Sequence, residues 1–237
     1  MKGRMIILDH IGEMEAAAYL VDGKLDDLLI DHADGPRPGA IFRALCDRPI
    51  NGQGGMMLRL PDGDTAFLRQ GKGLHPGQPL LVQVTGYAEG GKAVPVTDRV
   101  LFKSRYAIVT PGKPGLNISR QIIDEDIRDN LLAVAHDVFD SAHGLILRSS
   151  CEGADEADIA DDILAMQALA DAVLADAEGT TPEALTEGDG PHAVAWRDWV
   201  EPAVIVTEPG GFASHGVLDM IDALLDPRVA LPGGGFA

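Results

Sequence analysis

The chain has 237 residues, of which 46% are hydrophobic, and it carries a formal net charge of -18 at pH 7. A chain of this length and apolar content can bury a core, which excludes an intrinsically disordered protein and allows one large or two small domains. Its apolar runs are shorter than the roughly eighteen residues of a membrane helix, and the run after Met1 is too short for a secretory signal. We therefore expect a cytoplasmic protein without a membrane partner.

The acidic net charge hides a basic segment. Residues 35–120 contain twelve Lys or Arg against five Asp or Glu, whereas residues 151–190 contain twelve acidic residues and no Lys or Arg. Nucleic-acid binding depends on contacts between Lys or Arg and phosphate, so the overall charge does not exclude it. The two cysteines, Cys46 and Cys151, have no CxxC spacing, so we predict buried thiols and neither a disulfide framework nor a zinc site.

Strand patterns dominate the first part of the chain. A three-stranded meander is predicted at Arg4–Leu8, Glu15–Val21 and Leu25–Ile30, with a type I′ hairpin signal at Asp22-Gly23. After a break at 34–39, five strand-like runs separated by glycine-rich turns predict a small closed barrel of the OB type. These runs are Ile41–Cys46, Gly55–Leu60, Thr65–Leu68, Pro79–Thr85 and Ala93–Thr97.

The hydrophobic period changes after a strand at Tyr106–Thr110. Apolar residues recur at helical spacing behind the acidic start Asp124–Asp126, and again from Ile159 to Leu174. The pattern predicts two amphipathic helices, with a strand at Leu145–Arg148 between them.

The last part of the chain mixes both patterns. Residues 180–191 predict a connector, because they are rich in Pro, Gly and acidic residues. A helix around Val194–Val200, a strand at Ala203–Thr207 and a helix at Val217–Leu225 follow, and Arg228–Ala237 looks like the start of a hairpin.

A possible RNA-stacking surface lies in the predicted barrel. Met57 and Phe67 fall on neighbouring strands, and Lys92 follows a turn. OB folds hold single strands with aromatic platforms and a cation at the rim. A core position for Phe67 is an equally good interpretation.

A phosphate site is suggested by Arg148 and Ser149, which end an apolar strand. A guanidinium fork and a hydroxyl can together chelate a terminal phosphate. The alternative is a structural arginine that satisfies a helix C-terminus or an acid such as Glu152.

The acidic residues do not predict a metal site. Helical spacing places most acids of the second helix opposite its apolar stripe, on a solvated face. These acids are Asp155, Glu156, Asp158, Asp161 and Asp162. Asp9, at the end of the first predicted strand, resembles a carboxylate of two-metal nucleases but lacks supporting acids, so we predict a structural role for it.

The order of these features resembles the ribonuclease E/G family, most closely its short, alphaproteobacterial-type members. The resemblance runs along the whole chain. The motifs that carry it are Thr65–Leu68, Tyr106–Pro111, Gly115–Ile122, Gly144–Ser149 and Arg197-Asp198.

The resemblance implies an α+β fold: a split RNase H-like subdomain with an inserted OB-fold β-barrel and an α/β 5′-sensor subdomain. The RNase H-like subdomain is expected at residues 1–35 and 191–237, the barrel at 36–103 and the 5′-sensor at 104–190. By position, Arg148 and Ser149 match the Arg-Thr pair that grips a 5′-monophosphate in the family.

Further site residues follow from the same resemblance. RNA-binding positions of the barrel are matched by Met57, Phe67 and Lys92, with Met57 in place of a family aromatic. The segment Gly115–Arg120 is expected to be a loop that supplies backbone contacts to the phosphate, with Gly115, Ser119 and Arg120 as its binding residues.

Catalysis is expected to lie elsewhere. In the family, two aspartates of a nuclease subdomain hold the magnesium ion that activates water. The resemblance places these aspartates beyond residue 237, so the chain is expected to bind single-stranded, preferably 5′-monophosphorylated RNA, to hold no metal and to leave the RNA uncut. A non-catalytic, single-stranded RNA-binding regulatory protein remains the alternative, and a homo-oligomer is left open.

Overall fold

The structure, a computed structural model, describes residues 3–32, 35–50, 52, 54–199 and 204–225. It is an α+β protein, as predicted. The strands are β1 (Arg4–Ile11), β2 (Met14–Val21), β3 (Lys24–Ile30), β4 (Ile41–Ile50), β5 (Gly55–Arg59), β6 (Thr65–Leu68), β7 (Pro79–Val84), β8 (Val94–Thr97), β9 (Phe102–Lys103), β10 (Ala107–Thr110), β11 (Gly115–Ile118), β12 (Gly144–Leu147), β13 (Glu183–Thr186) and β14 (Val204–Val206). The helices are α1 (Glu125–Val138), α2 (Glu156–Asp176), α3 (Pro191–Asp198), α4 (Gly211–Ser214) and α5 (Val217–Leu225). The hairpin predicted at Arg228–Ala237 lies outside the described residues.

The chain forms two compact units, and the first comprises Met1–Ala33 and Gly190–Ala237. Its sheet has the order β14-β1-β2-β3, in which β1, β2 and β3 form the predicted antiparallel meander and β14 runs parallel to β1. The hairpin between β2 and β3 has positive φ at both Asp22 (51°) and Gly23 (78°), which confirms the type I′ signal. Apolar side chains cover both faces: Ile7 packs with Phe212 on one, and Ile6 with Ala195 on the other.

Asp9 has a structural role in this unit. The prediction that it ends the first strand was wrong, because β1 continues to Ile11. Its carboxylate accepts hydrogen bonds from the backbone N–H groups of Phe212 at 2.8 Å and Gly210 at 3.4 Å. Burial acts to raise the pKa of Asp9, but hydrogen bonds from backbone N–H groups, that of Phe212 foremost, outweigh it and lower the pKa below its usual value. Asp9 thus joins β1 to the start of α4.

The second unit, Asp34–Asp189, contains the predicted barrel. Its strands follow the order β4-β5-β6-β8-β7, and β7 also pairs with β4, which closes a five-stranded, OB-like barrel. Neighbours are antiparallel except β6 and β8, which are parallel. Alternate residues such as Met56, Leu58 and Val96 point into one apolar core.

An additional strand attaches to the barrel where a connector was predicted. β13 pairs antiparallel with β4. The composition of residues 180–191 is typical of loops, but strand pairing with β4 supplies backbone partners that composition does not reveal.

Arg43 on β4 explains why this segment is held. It is the buried charged side chain among the described residues, 5% exposed. Its Nε donates to the carbonyl oxygen of Thr181 at 2.6 Å, and its other nitrogens donate to the carbonyl oxygen of Asp176 and to the carboxylate of Glu183. Gly179 lies so close that a Cβ there would overlap the guanidinium. Arg43 therefore ties the end of α2 and the start of β13 to the barrel.

A second sheet in the same unit has the order β11-β12-β10-β9. Both α1 and α2 pack against it and contribute to one core, with Leu131, Ile159 and Ile163 among the buried residues. Both predicted helices are confirmed, and Asp124 and Asp155 accept hydrogen bonds from the first backbone N–H groups of α1 and α2. Gly144 starts β12 where a Cβ would collide with the backbone at Lys113, so a glycine is required for this close approach.

Candidate nucleic-acid interface

Two predicted phosphate-contacting pairs lie side by side at one edge of the second sheet. β11 and β12 are parallel, with Ile118 opposite Leu147 at their carboxyl ends. The backbone N–H of Ser119 donates to the carbonyl oxygen of Leu147 at 2.8 Å, which continues the pairing by one residue. Ser119-Arg120 and Arg148-Ser149 therefore leave the sheet together, although about thirty residues separate them in the chain.

Gly115 lies at the other end of β11. It is paired with Gly144, four residues before Ser119, a separation of about 13 Å along an extended strand. The prediction that Gly115–Arg120 is a loop was wrong for residues 115–118, because they pair with β12. The glycine-containing sequence is typical of loops, and a parallel partner from a distant part of the chain overrides that tendency.

The turn after β11 is held by α1. The guanidinium of Arg128 donates from Nη1 to the carbonyl oxygens of Ser119 at 3.2 Å and Ile122 at 3.1 Å. The hydroxyl of Ser119 accepts a hydrogen bond from the backbone N–H of Gln121 at 3.3 Å. Arg120, in contrast, is exposed. The turn is thus rigidly supported while its cationic side chain faces solvent.

Arg148 is held at the end of β12 by the turn that joins β9 and β10. Its backbone N–H donates to the carbonyl oxygen of Tyr106 at 2.9 Å, and its Nη1 donates to the carbonyl oxygen of Ser104 at 2.5 Å. The next residue, Ser149, begins a short 3-10 turn that ends at Cys151. Both Arg148 and Ser149 are half-buried.

Side chains of the 3-10 turn bind the same residues. The hydroxyl of Ser150 donates to the carbonyl oxygen of Arg105, and the thiol of Cys151 lies 3.3 Å from the carbonyl oxygen of Tyr106. We refer to residues 104–106 as the clamp turn. All three of its carbonyl oxygens therefore accept bonds from residues 148–151.

Asp162 departs from the prediction for the acids of α2. Asp155, Glu156, Asp158 and Asp161 are exposed, as the helical spacing predicted for most of this group. Asp162 is half-buried, and its Oδ2 accepts hydrogen bonds from the backbone N–H of Tyr106 at 2.9 Å and from the hydroxyl of Ser104. Sequence reasoning missed Asp162 and Ser104. The only available signal was that Asp162 directly precedes the buried Ile163.

The thiol of Cys151 has low reactivity. Burial is the main cause that raises its pKa from the usual 9.0 to about 11, and the carboxylate of Asp162 adds to the rise. The backbone N–H and the charge of Arg148 oppose this rise but do not cancel it. At neutral pH the thiol is therefore protonated and acts as a small packing group.

We expect Cys151 to resist iodoacetamide at about pH 8 in the folded protein and to react after denaturation, because the thiolate is the reactive form. The folded pKa is raised, so the unfolded chain loses the thiol proton first as the pH rises above 9.0. The raised pKa of Cys151 therefore contributes fully to the free energy of unfolding below pH 9.0, and this contribution is lost as the pH rises towards about 11. Mass spectrometry of the alkylated peptide checks the first expectation. Equal modification rates in the native and denatured protein would contradict it.

The predicted barrel residues form part of a row on its outer face. Met57 is directly opposite Phe67, and the row continues to Arg48 on β4 and Pro95 on β8. Phe67 is half-buried between the core residues Ala66 and Leu68, so its side chain points away from the barrel core. Its ring covers Gly55, where a Cβ would collide with it. Phe67 therefore lies outside the barrel core, and its role in RNA stacking stays a prediction.

Lys92 lies apart from this row, in the turn between β7 and β8. Its backbone N–H donates to the carbonyl oxygen of Glu89 at 2.8 Å, and its Nζ lies 3.0 Å from the carboxylate of Glu89. Both side chains are more than 70% exposed, so this ion pair is weak and easily exchanged for another anion. Lys92 precedes Pro95 by three residues along the chain and is therefore not part of the row.

Comparisons with known proteins agree with these features. Residues 102–209 match the profile described as the "Ribonuclease E/G family". Ribonuclease E of Nostoc sp. is 33% identical over 116 residues, which are 49% of this chain and 17% of that protein. Ribonuclease G of Escherichia coli is 35% identical over 86 residues, 36% of this chain and 18% of that protein. Ribonuclease E of Synechocystis sp. is 30% identical over 150 residues, 61% of this chain and 21% of that protein.

Residues 102–209, slightly less than half of the chain, therefore match the ribonuclease E/G family. This confirms the resemblance found in the sequence motifs. The matched stretches amount to 17% to 21% of the length of these relatives. The profile match contains the clamp turn, both strand ends and Asp162, whereas the barrel residues Met57, Phe67 and Lys92 lie before it.

Within the described residues, no three His, Cys, Asp or Glu side chains converge on a point where they could hold a metal ion. In the same part of the chain, no helix is both long and apolar enough to span a membrane.

Proposed function

We propose that this chain is the RNA-binding and 5′-monophosphate-sensing portion of a ribonuclease E/G-type endoribonuclease that acts on single-stranded RNA in cytoplasmic RNA processing and decay. The match of residues 102–209 to the ribonuclease E/G family supports RNA as the partner. The sensing role is supported by one observation. Ser119-Arg120 and Arg148-Ser149 directly follow the adjacent carboxyl ends of the parallel strands β11 and β12. Two cationic and two hydroxyl side chains follow neighbouring strand ends there.

The chemistry of these groups suits a terminal phosphate. A phosphate monoester carries a charge of about −1.5 to −2 near pH 7, whereas a 5′-hydroxyl carries none. A guanidinium binds phosphate oxygens through a planar fork of N–H donors, and serine hydroxyls add further donors. We assign Arg148 and Ser149 as the main phosphate ligands and Ser119 and Arg120 as their neighbours. Gly115, at the far end of β11, keeps only the role implied by the resemblance.

The subdomains proposed from the resemblance fit the two units. We assign the first unit to the RNase H-like subdomain, supported by a meander with a parallel fourth strand and apolar packing on both faces. We assign the sheet β11-β12-β10-β9 with α1 and α2 to the 5′-sensor subdomain. The fold assignment is an analogy, so the functional proposal depends on the site residues instead. Homo-oligomerisation stays a sequence-based prediction.

We further propose that the outer row of the barrel contacts the RNA strand. Phe67 and Met57 offer half-buried apolar side chains on the outer face, and the exposed Arg48 at the end of the row offers a cation to the RNA backbone. Bases stack on aromatic side chains without regard to sequence, which suits a protein that binds many RNAs. Met57 is a weaker stacking surface than an aromatic residue, so Phe67 should carry most of this contribution. Lys92 would add a phosphate contact beside the barrel.

Replacing Phe67 with alanine is expected to weaken binding of single-stranded RNA by about 1–3 kcal/mol, the cost of one lost base stack. The loss should be the same for 5′-monophosphorylated and 5′-hydroxyl RNA, because the barrel does not contact the phosphate terminus. Fluorescence anisotropy with both RNAs measures it. Thr65→Ala, an exposed change on the same strand, is the matched control. Unchanged affinity in the Phe67 variant would contradict the stacking role.

The sensing function is tested with the unmodified chain. Two single-stranded RNAs of one sequence, labelled at the 3′ end and differing only in a 5′-monophosphate or a 5′-hydroxyl, are titrated at fixed salt because phosphate contacts depend on it. We expect the 5′-monophosphorylated RNA to bind about tenfold tighter or more, the effect of one or two charge-assisted hydrogen bonds. Equal affinities would contradict the proposal.

Magnesium, which the resemblance implies for the complete enzyme, does not fit the residues that the structure describes. They offer no group of three or more His, Cys, Asp or Glu side chains that could hold a metal ion. We therefore propose no catalytic step for these residues and expect the RNA in the binding experiment to stay intact when magnesium is added.

A further inference from the structure

We propose that Asp162 is a positioning residue that sets the orientation of Arg148 at the phosphate site. The proposal rests on the 5′-sensing function proposed above. Asp162 lies on α2, and 58 residues separate it from Ser104, to which it is bonded. Asp162 does not bind the phosphate itself, because the carboxylate and the phosphate are both negatively charged. Its effect passes through the clamp turn.

The first link joins Asp162 to the clamp turn. Its Oδ2 accepts from the backbone N–H of Tyr106 at 2.9 Å and from the hydroxyl of Ser104. Hydrogen bonds to a carboxylate are shorter and about twice as strong as bonds between neutral groups. Half-burial on α2 limits the competition from water. One carboxylate oxygen therefore holds both ends of a three-residue turn against a helix of 21 residues.

The second link joins the clamp turn to Arg148. The carbonyl oxygen of Ser104 accepts from Nη1 at 2.5 Å, and the carbonyl oxygen of Tyr106 accepts from the backbone N–H of Arg148 at 2.9 Å. The two residues that bind Asp162 are thus the two that bind Arg148. Ser104 and Tyr106 therefore connect both the main chain and the guanidinium of Arg148 to Asp162 on α2.

This arrangement matters because arginine is long and flexible. Ordering such a side chain on binding costs about 0.5–1.5 kcal/mol, and a side chain that is ordered beforehand avoids part of that cost. The planar fork also needs a defined orientation to bind phosphate oxygens in pairs. A clamp turn that shifts would move the carbonyl oxygen of Ser104 and with it the plane of the guanidinium. Asp162 should therefore affect the recognition of the phosphate and not general RNA affinity.

The experiment measures the ratio of the two dissociation constants, 5′-hydroxyl over 5′-monophosphate, for the full chain with the labelled RNA pair. Asp162→Asn keeps the size of the side chain but removes its charge. We expect this variant to lower the ratio by about threefold to tenfold, the range for one weakened hydrogen bond, with unchanged affinity for 5′-hydroxyl RNA. Ser104→Ala, which removes the hydroxyl from the other side of the same link, should have a similar effect. Asp161→Asn, an exposed neighbour, is the control and should leave the ratio unchanged.

The double variant Arg148→Ala with Asp162→Asn distinguishes positioning from stability. If Asp162 acts through Arg148, the ratio of the two dissociation constants in the double variant equals that in Arg148→Ala alone. An unchanged ratio in both Asp162→Asn and Ser104→Ala would overturn the proposal, and so would equal losses for both RNAs, which indicate a purely structural role. A lowered ratio in Arg148→Ala together with a normal ratio in the Asp162 and Ser104 variants rejects the positioning role alone. A normal ratio in Arg148→Ala rejects Arg148 as a phosphate ligand and the positioning role with it, whereas a ratio of one in the unmodified chain rejects the sensing function.

Discussion

Replacing Arg148 with alanine is expected to remove most of the preference for 5′-monophosphorylated RNA, lowering affinity for that RNA by about tenfold to a hundredfold. The reason is that a hydrogen bond to a charged group contributes about 1.5–3 kcal/mol, and a 5′-hydroxyl offers no charge to lose. Affinity for 5′-hydroxyl RNA should change by about threefold or less. Anisotropy titrations with the matched RNA pair measure both values.

Lys113→Ala is the matched control for Arg148→Ala. Lys113 is exposed and lies before β11, at the end of the sheet away from Ser119. Lys113→Ala removes the same charge as Arg148→Ala. It should therefore weaken the binding of both RNAs equally and lower the salt dependence of binding. Equal losses on the two RNAs in the Arg148 variant would return this residue to a structural role, in which it only binds the Ser104 carbonyl. Thermal melting of both variants ensures that folded proteins are compared.

Replacing Arg43 with alanine is expected to lower the free energy of unfolding of the second unit by about 2–5 kcal/mol. Arg43 is buried and donates to the carbonyl oxygens of Thr181 and Asp176, which would lose a charged donor. Its ion pair with Glu183 should contribute less, because that carboxylate is 58% exposed. Urea denaturation followed by circular dichroism gives the free energy.

Two variants complete this test. Arg43→Lys keeps the charge but not the fork, so it should recover only part of the lost stability. Arg59→Ala removes an outward-facing arginine of the same barrel, whose Nε lies 3.8 Å from a carboxylate oxygen of Asp47. This control should change the free energy of unfolding by less than about 0.5 kcal/mol. A cost for Arg43→Ala no larger than that of Arg59→Ala would show that the 176–183 segment does not need its anchor.

Local patterns predicted much of the architecture. The meander, the Asp22-Gly23 hairpin and the five barrel strands each depend on residues within a short window. The two long helices were predicted for the same reason, including the acidic start of α1. Strands that form only by pairing with a distant segment of the chain were not predicted. β13 was predicted as connector and β11 as loop, because each becomes a strand only by pairing with a segment far along the chain.

The candidate site shows the same division. The strand-ending Arg148 and Ser149 and the Ser119-Arg120 pair were identified from the sequence and its family resemblance. Their adjacency follows from the parallel register of β11 and β12, which no local pattern encodes. Asp162 belonged to a group of helix acids, and helical spacing alone did not separate it from its exposed neighbours. The partner that makes it different, the clamp turn, lies in another part of the chain.

By itself, the sequence determined the resemblance to the ribonuclease E/G family, the elements with a clear hydrophobic period and the uneven distribution of charge. Tertiary structure decided which strand ends meet, that Phe67 faces outward from the barrel, that Asp162 bonds to the clamp turn, and that Arg43 is buried. The physical reason is the range of the forces involved. Backbone propensity and side-chain periodicity act over a few residues, whereas burial and hydrogen bonding of a polar group depend on whatever segment the folded chain brings to it.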